Sequence, residues 1–179
     1  VALLLVAGCS GEDAAVFSPP DDITPPAGVV ETTALPREAA DPVTVPGPLN
    51  EDGLGYLIHS YLPDHVGEAG SGGDVFCAYE VFGWQLQTDT ATAWLWVYCE
   101  EFFYEAEEGT AFSTPVTIHL SELPEGWIVS FAERPELGSL YAESVRNMFP
   151  SEFADRALDK GSSRDLSAEV RQSARNHGG

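Results

Sequence analysis

Four groups of side chains in this sequence could do chemistry. Cys77 and Cys99 could form a bridge or hold a metal. Glu100, Glu101, Glu105, Glu107 and Glu108 crowd carboxylates that suit a hard cation such as calcium. His119 could act as an acid or base. Glu80, Trp84, Trp94, Trp96 and Glu100 combine aromatic rings with carboxylates, as a ligand face would.

Each group meets a simpler reading. Zinc needs a second Cys/His pair at ligand spacing, and none is present. The acidic run lacks the alternating Asp and Asn and the central glycine of a calcium loop, so it reads as a solvated hairpin end. His119 has no nucleophile in an activating context such as Gly-x-Ser-x-Gly, and it reads as a surface strand histidine. Residues 67–74 are glycine-rich, but no Gly-Lys-Ser/Thr follows, which excludes a phosphate loop. No catalytic residue, metal or cofactor is assigned.

The elements that carry these groups follow from periodicity. Asn50 starts a helix, with Glu51 and Asp52 in its first turn and Leu54, Leu57, Ile58 and Tyr61 on one side. Pro63 is expected to stop it. Segments 75–87 and 90–104 are aromatic and β-branched, and form a long hairpin. With the turn centred on Thr88, paired numbers sum to 176, which sets Cys77 opposite Cys99, Val81 opposite Leu95 and Glu80 opposite Trp96. One hairpin face then carries Cys77, Tyr79, Val81, Leu95, Val97 and Cys99, and should meet the helix. The other carries Phe76, Phe82, Trp84, Trp94, Trp96, Tyr98 and Phe102 around Glu80 and Glu100. Aromatics on strands are usually core, so this face reads first as core and second as a candidate ligand face.

A second hairpin follows. Val116, Ile118 and Leu120 alternate with Thr117 and His119, Pro124-Glu125-Gly126 turns, and Trp127 to Ala132 returns. Ser139 is expected to cap a helix over 140–149, Pro150 breaks it, and 151–158 form another. The domain is expected over residues 50–160, followed by a polar tail over 161–179 that is either loose or weakly helical around 166–174.

The N-terminus supplies a motif of another kind. Residues 1–7 are all apolar, and Val6-Ala7-Gly8-Cys9 closes the run. This resembles the signal-peptide end and lipobox of bacterial lipoproteins. The resemblance implies cleavage before Cys9, leaving residues 1–8 as a signal-peptide remnant. It also implies a thioether-linked diacylglycerol, with palmitate-type chains, on the Cys9 sulfur. Two acyl chains at about 0.8 kcal/mol per buried CH₂ hold a protein stably on a bilayer. No initiator Met and no basic n-region precede the run, which points to a truncated start or a Val from an alternative start codon. Residues 9–49 then read as the lipidated cysteine and a disordered tether, because eight of the thirteen prolines lie between positions 10 and 50. Export would place Cys77 and Cys99 where a disulfide persists, contributing roughly 3 kcal/mol by loop closure.

Charge excludes several functions. The net charge is −21, so no basic footprint exists for nucleic acid or for anionic headgroups. No run of 18 apolar residues is present to span a bilayer as a helix. The charge is also segregated. Residues 51–133 hold fifteen acids and no Lys or Arg, whereas 134–179 hold seven of each.

The expected fold is α+β, an antiparallel sheet of four or five strands with flanking helices, loosely similar to cystatin-like or NTF2-like domains. Fold analogy licenses no function. Two functional classes stay open. One is a non-enzymatic binding or structural lipoprotein, whose partners would be the bilayer and an unidentified protein or small ligand. The other is a cell-surface enzyme or ligand-binding domain using the aromatic and acidic face. The two differ in whether that face holds a deep pocket or is filled by helices.

Overall fold

The computed structural model describes residues 42–67, 72–103, 108–159 and 161–177. Cys9, the lipobox and residues 10–41 of the expected tether lie outside them. Helix α1 (Glu51–His65) opens the domain. Strands β1 (Asp74–Leu86), β2 (Thr90–Phe102), β3 (Glu108–Leu123) and β4 (Gly126–Glu133) form an open antiparallel sheet in chain order. A 3₁₀ turn (Gly138–Leu140) leads to α2 (Tyr141–Met148), α3 (Ser151–Asp159) and α4 (Leu166–His177). The fold is α+β, as the sequence predicts.

Helix α1 starts as expected, with the Gly53 N–H donating to Asn50 Oδ1 at 2.8 Å. It does not stop at Pro63. The missing proline N–H forfeits one bond within the last turn, and the helix still closes on Leu62, whose carbonyl accepts from Val66 N at 2.9 Å and Gly67 N at 2.8 Å. Leu54, Leu57, Ile58 and Leu62 are buried against Ala93, Leu95 and Val97 of β2 and Val116, Ile118 and Leu120 of β3. Each fully buried Leu or Ile contributes about 1.5–3 kcal/mol. Upstream, Val45 pairs with Trp127 through two backbone hydrogen bonds, and Leu49 is buried. The folded body therefore reaches back past the expected start at residue 50.

The first hairpin joins Cys77 to Cys99, with Cα atoms 4.2 Å apart. That close spacing fits a non-hydrogen-bonded pair. The register that places them is correct, but for a different reason than the sequence suggested. From Asp74↔Phe102 to Val81↔Leu95 the paired numbers sum to 176, and from Gly83↔Trp94 to Leu86↔Ala91 they sum to 177. The turn is therefore the even, two-residue Thr88-Asp89, closed by Gln87 N–H to Thr90 O at 2.8 Å. The odd residue is Phe82, in a bulge between Val81 and Gly83.

A bulge reverses which way the following residues face. Trp84 now pairs with Ala93 and packs into the cluster under α1, on the opposite face from Trp94. It leaves the expected ligand face. Gly83 takes its place, and a Cβ there would sit 2.5 Å from the tip of the Phe153 ring, which would have to move.

The C-terminal elements cover the other side of β1 and β2. Val145, Phe149, Ala154 and Ala157 form a second core with Phe82, Trp94 and Phe153. Ser139 makes no cap, and α2 instead continues directly from the 3₁₀ turn. The segment expected as a polar tail forms a helix, the second of the two alternatives offered for it, and packs on the domain. Helix α4 packs on β1 and β2 and buries Leu166 and Val170. Asp165 starts it, accepting from Ser167 Oγ at 2.8 Å and Ala168 N at 3.1 Å.

Candidate functional site

The candidate face centres on Glu80, which β1 presents opposite Trp96 of β2. Its carboxylate is a socket for the C-terminal segment. Oε1 accepts from Arg156 Nη2 and from Ser163 Oγ at 2.7 Å. Oε2 accepts from Ser162 Oγ at 2.8 Å and Ser163 N at 2.7 Å. The Glu80 side chain is only 13 % exposed. Burial alone would raise its pKa, but the bonds from Ser163 and Ser162 and the Arg156 charge outweigh burial and lower it to about 2. The Arg156 guanidinium also lies 4.2 Å from the centroid of the Phe82 ring.

The other members are filled in the same way. Trp94 donates from Nε1 to the Met148 carbonyl at 3.0 Å and tilts against Phe153. Trp96 lies under Gly161, where a Cβ would come within 2.9 Å of the ring and φ is +59°. Glu100 is buried, accepts from Tyr98 Oη at 2.9 Å, and lies 3.7 Å from Arg171 Nε. The structure thus brings together Glu80, Trp94, Trp96 and Glu100 on one face, beneath α2, α3, α4 and the Gly161–Arg164 turn. Trp84 is not among them.

Two members of the acidic run depart from the solvated hairpin end that the sequence suggested, and the side chains of the other three lie outside the described residues. Glu100 and Glu101 are both buried, and Glu101 Oε1 accepts from Gly73 N at 2.8 Å. Glu105 and Glu107 lie outside the described residues. Among the described residues no group of three or more His, Cys, Asp or Glu is placed to hold a metal. His119 stacks on Phe131 of β4 with centroids 4.2 Å apart, and its Nε2 lies 3.6 Å from Glu133 Oε2. Ser121 and Ser130, near it on the same hairpin, are hydrogen-bonded to each other at 2.7 Å.

A shallow groove of about 130 Å³ lies between α1, β4 and the segment before Val45, lined by Pro42, Val43, Ser60, Tyr61, His65 and Val129. Burial raises the Tyr61 pKa, and a hydrogen bond with the Ala132 backbone opposes it. Ligand pockets usually run to about 300–1,000 Å³, so this groove is small for a metabolite.

The partners of Glu80 escaped the sequence reading because they lie 76 to 83 positions away. The signal that could have found them is the charge segregation, since the basic residues after Glu133 face an acid-only sheet. No family model, no curated protein and no solved structure matches this chain, so the comparison with cystatin-like and NTF2-like domains gains no support.

Proposed function

We propose that this chain is a lipid-anchored protein on a bacterial membrane, facing outside the cytoplasm, and that its domain is a non-enzymatic binding or structural module. The pattern of the three cysteines carries this reading. Cys77 and Cys99 are bridged across neighbouring strands, and the third, Cys9, closes the lipobox Val6-Ala7-Gly8-Cys9. A structural disulfide suits an oxidising compartment, and the lipobox supplies both the route there and the anchor. Among the described residues no helix is long and apolar enough to cross a membrane, so the anchor assigned here is the lipid. The module reading rests on the filled aromatic face. A ligand on Trp94 and Trp96 would first have to displace the helices that cover them, which weighs against the rival use of that face as an open site.

The test is Cys9→Ala in the producing cell, with metabolic labelling by a fatty-acid analogue. The parent should label and sediment with membranes, while the variant should lose the label and move to the soluble fraction. Unlabelled protein that still sediments with membranes would refute the anchor.

A further inference from the structure

At each edge the sheet carries an aromatic ring and a carboxylate two residues apart on the face away from α1; Arg156 fills the β1 pair, and His119 covers only part of the β4 pair. On β1, Glu80 and Phe82 lie two residues apart on the face away from α1, and Arg156 pairs with the carboxylate while covering the ring. On β4, Phe131 and Glu133 lie two residues apart on that same side, beside His119 and Thr117 of β3. Helices α2, α3 and α4 gather over β1 and β2. At the β4 edge His119 stacks on Phe131 and approaches Glu133, yet Phe131 stays 52 % exposed and the Glu133 side chain 51 %.

We propose that Phe131 and Glu133 are a docking point for an arginine side chain of a cationic partner protein. A guanidinium is planar, so it can lie over the open part of the Phe131 ring while pairing with the Glu133 carboxylate, which a lysine ammonium does less well. The charge distribution favours that partner. From residue 38 to 133 the chain has no Lys or Arg, and Arg134 next to the site lies over the Phe112 ring, 6.0 Å from its centroid, so the field of this stretch attracts cations and repels acidic proteins. Self-association through this face is disfavoured by the net charge of −21. Arg156 on Phe82 and Glu80 shows the contact geometry within the molecule itself.

The inference rests on the binding-module reading and names its partner class; it is independent of the lipid on Cys9. The experiment titrates the full chain with two capped pentapeptides, Ser-Arg-Val-Arg-Ser and Ser-Lys-Val-Lys-Ser, at about 0.15 M salt, where unspecific charge attraction is largely screened. The arginine peptide should bind several-fold more tightly than the lysine peptide and shift the amide resonances of Phe131 and Glu133. Phe131→Leu and Glu133→Gln should each weaken it about fivefold, consistent with exposed cation–π and ion-pair contacts. Glu122→Gln, which removes the same charge from the same hairpin, should change it less than about twofold. Both test positions are exposed, and Glu133→Gln alone carries the test should Phe131→Leu perturb the fold. Binding that survives both variants would overturn this site while leaving a binding module elsewhere. Equal affinity for the two peptides, or no binding of either, would overturn the arginine partner.

Discussion

The two sides of the sheet are built by different physics. The α1 side is mostly aliphatic, and Leu57, Ile58, Leu62, Leu95, Val97 and Ile118 are almost entirely inaccessible. The other side is aromatic and charged, and its helices are located by Glu80 and Glu100 as much as by Phe82 and Phe153. Burial on the first side is non-directional and tolerates any close-packed arrangement. On the second side the Glu80 carboxylate is held by directional bonds from Ser162 and Ser163 of the Gly161–Arg164 turn. The aliphatic side buries more of the apolar side chains, and the polar side ties the C-terminal third to the sheet through Glu80 and Glu100.

The strongest way to break the aliphatic side is Leu95→Ala. Its side chain is wholly buried, so the cavity should cost about 3–4 kcal/mol in denaturant unfolding. A loss below about 1 kcal/mol would show that this side is less tightly packed than described.

Glu80→Gln sharpens the comparison from the other side. It leaves Arg156 without its countercharge in a covered site, at an expected cost of about 2 kcal/mol at neutral pH. The sign of the pH dependence is fixed by the direction of the shift. The Glu80 pKa is lowered from 4.5 to about 2, so its contribution is fully present above pH 4.5 and is lost as pH falls towards 2. Thermal unfolding of the parent and the variant should therefore differ at pH 7 and converge by about pH 2. A constant difference across that range would mean that the substitution acts through packing and not through the charge.

Much of the scaffold was legible in the sequence, because it depends on short-range periodicity. The Asn50 cap, the alternation of Val116, Ile118 and Leu120, and the turn at Pro124 and Glu125 need only a few neighbouring residues. The Phe82 bulge was not legible, since one extra residue in a run of apolar side chains leaves the alternation ambiguous. Gly83 was its one local cue, and its reason is a contact with Phe153, far along the chain. Helix α4 was hard to see because its buried apolar side chains are few, Leu166 and Val170. On the candidate face, Glu80, Trp94, Trp96 and Glu100 could be named from alternation. What fills that face could not, because ion pairs and hydrogen bonds between distant segments leave no periodic trace.

Intact mass of the protein extracted from membranes, alkylated with and without prior reduction, tests the central claim most directly. The proposed lipoprotein should begin at Cys9 with a diacylglycerol adduct and take up no alkyl group before reduction. After reduction it should take up two, on Cys77 and Cys99. An unmodified Cys9, or two alkylated thiols without reductant, would contradict the account.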